Sequence, residues 1–341
     1  MAADSPDPGE EPPDGPPAPP SRRDETADEP PHPAFAEYAT ESVPAAAVGS
    51  PGKDGRLELR FEVDGNGETN LVRDLVRAPF HVSGTLGHDP LPEAETVYVQ
   101  SPTGGVAQGD RHAVDIEVGA DAVAHVSTQS SQKVLSMARN YAAADVSLSV
   151  GSGGHLDYVP EPTILHGDSR FCQSVTLELA PDASAVVGEV VVPGRLARGE
   201  RFDFERYLSR LRVRRERELL VDDATHLRPA DADPSAPGVM GEFAVLGTLY
   251  VLTPASGDTS DDAELSDRLH EVTNAETDSD GRGDEDGETV RASATRLPND
   301  AGVAVRALGH RAETVTAALR AAWDEARIEL LGVGAPDSRR P

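Results

Sequence analysis

The sequence predicts a mainly β protein with a C-terminal amphipathic helix. Three observations carry that expectation. Apolar and polar residues alternate at period two, most clearly in RLELRFEVD (56–64), where Leu57, Leu59, Phe61 and Val63 share one face. A rough repeat recurs at VGADAVAHVS (118–127), VGSGGHLDYV (150–159) and LAPDASAVVGEV (179–190), at spacings of 32 and 29 residues. A period in that range suggests β units that pair with their neighbours. Stacked coils and a series of similar hairpins both satisfy it, and both give an all-β body. Helical periodicity is clearest in ETVTAALRAAWDEARIELLG (313–332).

In order along the chain, residues 1–52 hold 13 prolines and 11 acids and few large apolar side chains. That composition buries too little surface to offset ordering entropy, so a disordered tail is expected. PHPAFAEYAT (31–40) holds the only aromatics there and reads as a spacer rather than a docking motif. One β domain is expected over 53–334. Its strands include LVRDLVRAPF (71–80), ETVYVQS (95–101), FCQSVTLELA (171–180), LRVRRERELLVDD (211–223) and GEFAVLGTLYVL (241–252). Arg206, Arg210, Arg212, Arg214, Arg215 and Arg217 form a basic cluster, read as a solvated strand face offsetting nearby acids. At about 255–296 a flexible acidic insertion is expected. Its DSDGRGDEDGE run lacks the regular acid positions of an EF-hand loop and the Glu at the twelfth, where Thr289 stands. In 313–332, Val315, Leu319, Ala322, Trp323, Ala326 and Leu330 make one apolar stripe, and Gly332 is a natural stop. Such a helix packs on its own sheet or on a partner. Residues 335–341 are read as a disordered tail.

Sixty acids against 31 basic residues give a formal net charge of -29, with Lys53 and Lys133 the only lysines. Phosphate-rich partners would be repelled, so nucleic-acid binding is not expected. The balance fits a globular surface adapted to high salt, where a Debye length of about 3 Å at 1 M screens self-repulsion. Cys172 stands alone, which excludes an internal disulfide. No apolar run reaches the roughly 20 residues of a membrane span, and the N-terminus lacks a signal-peptide pattern, so a cytoplasmic protein is expected.

No nucleophile elbow, P-loop, HExxH or dinucleotide glycine set occurs. The histidines lack zinc-site spacing, and Cys172 reads as a buried strand residue. What remains are acids among glycines and apolar strands: Asp110 after Gly104, Gly105 and Gly109, Glu161 between two prolines, Glu189 in a strand, and Glu200 closing GRLARGE (194–200). Burying such carboxylates demands partners, for which Lys133, Arg195 and Arg198 are candidates. They could be structural ion pairs or could line a hydrated path that tolerates a divalent cation. A β-fold hydrolase using paired carboxylates is an alternative, as is a calcium-dependent binding protein working through the 255–296 acids.

Four motifs in order resemble the UreD (UreH) family of urease accessory proteins. They are Gly104-Gly105-Val106-Ala107-Gln108-Gly109-Asp110; Thr128 through Lys133-Val134; Leu156-Asp157-Tyr158-Val159-Pro160-Glu161-Pro162-Thr163-Ile164-Leu165; and Glu189 followed by Gly194-Arg195-Leu196-Ala197-Arg198-Gly199-Glu200-Arg201-Phe202. The resemblance spans roughly 55–331. It implies a β-helix-like, non-enzymatic chaperone that binds apo-urease and UreF, through which the GTPase UreG is recruited. It also implies a water-filled tunnel for nickel, with no tightly bound cofactor and Ni²⁺ only in transit. Carried over by motif, Asp110 and Glu189 are candidate acids on the nickel path. Gly104, Gly105, Gly109, Lys133, Glu161, Arg195 and Glu200 are expected to shape it, the charged ones through buried pairs. Trp323, Leu319 and Leu330 are candidate UreF-facing residues. The chain departs from the family pattern at Gln129-Ser130-Ser131, at Gln132, and at Asp157, which stands where Glu is common.

Overall fold

The computed structural model describes residues 30–42, 51–87, 89–102, 104–255, 260–278 and 289–337. The sequence expectations for 1–29, 43–50, 279–288 and 338–341 lie outside them. A short helical turn ends in α1 (Ala36–Ala39). The antiparallel pair β1 (Asp54–Val63) and β2 (Thr69–Arg77) follows, then β3 (His81–Leu86) and β4 (Glu95–Gln100). Three coils come next. They are β5 (Arg111–Val118), β6 (Val123–Thr128) and β7 (Gln132–Val134); β8 (Ala142–Val150), β9 (His155–Tyr158) and β10 (Thr163–Leu165); and β11 (Arg170–Leu179) with β12 (Ser184–Val192). β13 (Arg206–Arg215) adds a last parallel strand and turns into β14 (Glu218–Leu227). β15 (Val245–Leu252), α2 (Ser260–Asp278), β16 (Val290–Arg296), β17 (Gly302–Gly309) and α3 (Ala312–Leu331) complete the fold.

Successive coils pair in parallel, β5 with β8, β11 and β13 in one sheet and β6 with β9 and β12 in the other, which β7 and β10 extend, β10 pairing with both β7 and β12. The repeat is therefore a stack of coils rather than a series of hairpins. Val118 pairs with Val150 and Val150 with Leu179, so the 32- and 29-residue spacings are coil lengths. The corners stack closely: a Cβ on Gly151 would lie 2.9 Å from the main chain of Gly119 and Ala120. Each corner also bonds the next, Gly151 N to Val118 O at 2.8 Å and Ala180 N to Val150 O at 3.0 Å. Antiparallel hairpins close the stack at both ends, which limits exposed parallel edges.

Parallel register turns alternation into ladders. Leu57, Val114, Val146, Val175 and Leu211 form one across the seven-stranded sheet, and Leu59, Ile116, Leu148, Leu177 and Val213 the next. They meet Ala124, Val126, Leu156, Ala185 and Val187 of the other sheet in a common core. Each such aliphatic side chain contributes about 1.5–3 kcal/mol when fully buried.

Helix α3 lies on the outer face of β12, β15 and β17, where Val186, Val190, Leu249 and Val305 need cover. Gly247 and Gly309 let it approach, since a Cβ on either would lie within 2.7 Å of Val315 or Leu319. Trp323 and Leu319 are thus buried against their own sheet, and Leu330 packs half-buried on the same cluster. This corrects the expectation that they face a partner. The helix is also pinned by charge. Arg327, fully buried, bonds Asp157 Oδ2 and reaches Asp89 Oδ1 at 2.6 Å, while Trp323 Nε1 donates to Asp157 Oδ1 at 2.7 Å. Burial alone would raise the Asp157 carboxyl, but His155, Arg327 and His125 hold it below the usual carboxylate range.

Two further expectations are corrected. Within 255–296, Ser260–Asp278 is helical and Val290–Arg296 is a strand. Leu265, Leu269 and Thr273 bury one face, and Arg268 bridges to Glu325 and Glu329 of α3. Within the expected tail, residues 30–42 dock on the outer face of the seven-stranded sheet through Phe35 and Tyr38.

Leu148→Ala should lower unfolding stability by about 2–5 kcal/mol in denaturant titrations at molar salt. Arg327→Ala, which strands Asp157 and Asp89 as buried charges, should cost about 3–5 kcal/mol in the same assay. A loss below about 1 kcal/mol would show that the triad does not hold α3.

Candidate functional site

The site arises where the alternation of β12 changes character. Ala185 and Val187 face the core between the sheets, and Glu189 is the next residue on that side. Opposite, the aliphatic ladders give way to Gln173 of β11 paired with Ser209 of β13, with Tyr207 two residues before Ser209. Glu189 Oε1 accepts all three donors: Tyr207 Oη at 2.8 Å, Ser209 Oγ at 2.7 Å and Gln173 Nε2 at 2.9 Å. Its Oε2 takes none of these bonds. Burial raises the Glu189 carboxyl above its ordinary value, aided by the charge of Asp223 and opposed by the Ser209 and Tyr207 hydrogen bonds. Burial and Glu189 in turn push the Tyr207 hydroxyl well up.

Beside Glu189 the sheet has a gap. β9 pairs with β12 up to Tyr158–Val187, and pairing resumes with β10 at Thr163–Val191. The intervening Pro160 and Pro162 have no amide hydrogen to give a ladder, and Glu161 N turns away to Thr128 Oγ1 at 2.9 Å. A cavity of ≈ 520 Å³ lies on the α3 side, walled by Tyr98, His125, Trp323 and Arg320. A crevice of ≈ 30 Å³ lies between the sheets, walled by Gln173, Ser209, Tyr250 and Asp223. Pro160, Gly188 and Glu189 line both. Beyond them, Tyr250 Oη donates to Asp223 Oδ2 at 2.8 Å, and Arg306 binds the same oxygen.

The other candidates fall elsewhere. Asp110 is fully buried, but its oxygens clamp a turn, accepting Ala107 N at 2.8 Å and Lys53 N at 2.7 Å, and it lines neither cavity. Gly105 (φ 144°) lets that turn pass β7, since a Cβ there would sit 2.5 Å from the Lys133 carbonyl oxygen. Gly104 and Gly109 also take positive φ, 83° and 75°. Lys133 is exposed and makes no ion pair among the described residues; its carbonyl accepts Val106 N at 2.8 Å. Glu161 is exposed on the wall of the larger cavity. Arg195 and Glu200 pair two-pronged at 2.6 and 2.5 Å, but their side chains are 34% and 24% exposed. Their mutual hydrogen bonds raise the arginine and lower the carboxyl. The expectation of buried pairs is corrected at Lys133, Glu161 and Arg195–Glu200: all are placed at the solvent boundary, where ions keep their hydration. Gln173, Tyr207, Ser209, Asp223 and Tyr250 were not anticipated, although Gln173 stands at an inward position of an alternating strand.

Among the described residues, no three His, Cys, Asp or Glu side chains form a metal-holding cluster. No helix among them is long and apolar enough to cross a membrane. The fold and site thus define a capped β-solenoid with a gap in strand pairing beside a buried polar cluster. The model of the UreD urease accessory protein family matches residues 53–341. Curated relatives are the urease accessory proteins UreD of Haloarcula marismortui, 66% identical over 91% of this chain and 98% of that protein, and of Natronomonas pharaonis, 45% identical over 90% and 98%. UreD 2 of Brucella suis biovar 1 is 34% identical over 85% of this chain and 92% of its own. The chain belongs to the UreD family of urease accessory proteins, which places its role in urease maturation.

Because the folded Glu189 carboxyl is raised, protonation favours the native state. Its stabilisation is fully present below the ordinary carboxylate range and is lost as pH rises through the raised value. Glu189→Gln should therefore gain stability relative to the parent chain across that rise. Melting temperatures of both proteins measured through this window in molar salt test it; a difference independent of pH would refute the assignment.

Proposed function

We propose that this chain is a non-enzymatic scaffold of urease maturation that binds apo-urease and UreF, with UreG recruited through UreF, and that Ni²⁺ crosses its body as cargo at the gap beside Glu189. The observation that carries the reading is the break in strand pairing at Pro160–Pro162, where one carboxylate lines the space on both sides of a sheet. A single carboxylate among hydroxyl and amide groups suits the passage of a hydrated ion. Retention would favour several imidazoles or thiolates. The three donors hold Glu189 by Oε1 and leave Oε2 to an ion's water shell. Asp223, with Tyr250 and Arg306, would stand at the far end of the crossing.

The two-carboxylate hydrolase alternative loses support because both Asp110 oxygens are bound to main-chain amides. Since Trp323 and Leu319 are buried, UreF would meet the outer face of α3 and the cavity rim formed by Glu313, Thr316 and Arg320.

The experiment is urease maturation in cells, read as nickel per urease by elemental analysis. Deletion of the chain should leave urease protein present and nickel-poor. Glu189→Ala should lower nickel content by about tenfold or more while UreF still co-purifies in molar salt. Unchanged nickel after deletion would refute the chaperone reading. Unchanged nickel in Glu189→Ala alone would refute only the path.

A further inference from the structure

Residues 30–42 sit on the outer face of the seven-stranded sheet, remote in sequence from everything they touch. Phe35 is 0% and Tyr38 4% exposed, and they pack with Tyr141, Ala143, Cys172 and Leu208. The ring centroids of Phe35 and Tyr141 are 5.2 Å apart. Arginines rim the patch: Arg170 lies 4.5 Å from the Tyr38 ring centroid, and Arg206 lies 5.3 Å from Tyr38 and 5.8 Å from Phe35. The acids of the segment meet the same arginines. Glu37 pairs with Arg206 at 3.1 Å and Arg228 at 3.4 Å, and Glu41 pairs with Arg170 at 3.1 Å. Glu41 also caps Asn140, whose main-chain N donates to Oε2 at 2.5 Å and whose Nδ2 donates to the Glu41 carbonyl at 2.7 Å.

The segment behaves as a ligand of this face rather than as part of the sheet. It adds no strand, and among the described residues no hydrogen bond between main-chain atoms joins it to the body. Two aromatic anchors three residues apart on one helical turn, flanked by acids, do the holding. The chain owns only seven Phe, six Tyr and one Trp, so gathering three of them here is a large share of its aromatic surface. High salt screens the ion pairs and leaves apolar and cation–π contacts to carry the docking. The family match begins at residue 53, so the segment lies outside the matched body while its socket lies inside.

We propose that this sheet face is an arginine-rimmed aromatic socket for a short acidic helical turn, and that its occupant is the chain's own segment 31–42, docked in cis and exchangeable as a peptide. The recognition element is Phe-x-x-Tyr with acids at the positions of Glu37 and Glu41. Cys172, beneath the segment and 2% exposed, is a built-in reporter of occupancy.

The test uses the full chain, a variant lacking residues 1–50, and a fluorescent peptide of residues 30–43, all in molar salt. Fluorescence anisotropy should show the peptide binding the shortened chain and not the full chain. Peptides carrying Phe35→Ala or Tyr38→Ala should bind at least about tenfold more weakly. Cys172 should react faster with an aromatic disulfide reagent in the shortened chain, and added peptide should slow it. A folded shortened chain that ignores the peptide, or a full chain that binds it equally, overturns the proposal. Should the shortened chain not fold, Cys172 reactivity is read in the full chain carrying Phe35→Ala and Tyr38→Ala. Faster labelling with an unchanged circular dichroism spectrum supports the proposal. Unchanged labelling, or loss of the fold, overturns it by making the segment either absent from the socket or integral to the body. A dimer by light scattering that these two substitutions dissociate would place the occupant in a second copy and overturn the cis assignment.

Discussion

The parallel register that sets Val118, Val150 and Leu179 side by side is the constraint on which the rest of the structure depends. A one-residue slip of any coil would send its aliphatic face outward and its acids inward. The corners forbid the slip, because Gly151 must lie against the main chain of Gly119 and Ala120. With register held, five-residue ladders of Leu, Ile and Val follow from simple alternation. A chain with only 4% aromatic residues thereby builds its core from small aliphatic side chains.

The same regularity explains why the opening beside Glu189 stands out physically. A β-solenoid has no natural hole, since neighbouring coils satisfy each other's main-chain groups. Two prolines separated by one residue suspend that satisfaction on one side of Gly188–Val190, while β15 stays paired along the other side. The interior then changes from aliphatic to polar in step, as Gln173, Ser209 and Tyr207 replace the ladder residues. A carboxylate can be kept inside because three donors meet it, although burial still raises its affinity for a proton.

Much of this was legible in the chain. The repeat spacing equals the coil lengths because register positions carry recognisable corners, although spacing alone left stacked coils and hairpins both open, and the 313–332 stripe predicted a helix that Gly332 ends in a left-handed turn. Glu189 was singled out by its motif, but its partners were not, because hydrogen bonds between coils join residues 16–20 apart with no local pattern. Asp110 was equally prominent in sequence and serves a turn, since a buried acid beside glycines satisfies main-chain amides as readily as it lines a path. Helix α2 was hidden by its acids: Leu265, Leu269 and Thr273 have the right spacing, yet composition spoke for an irregular insertion. The Phe35–Tyr38 pair was similarly masked by the prolines around it.

The charge lock under α3 has a temporal consequence. Asp157 belongs to the second coil, whereas its partner Arg327 follows 170 residues later in the chain. On a ribosome the coils can stack as they emerge, each on its predecessor. Until Arg327 and Trp323 arrive, however, Asp157 must keep its water. The roof over the larger cavity therefore closes only after the coils beneath it have been made. Before α3 is made, Val186, Val190, Leu249 and Val305 lack its cover, so translation has to pass that helix before this face can leave water.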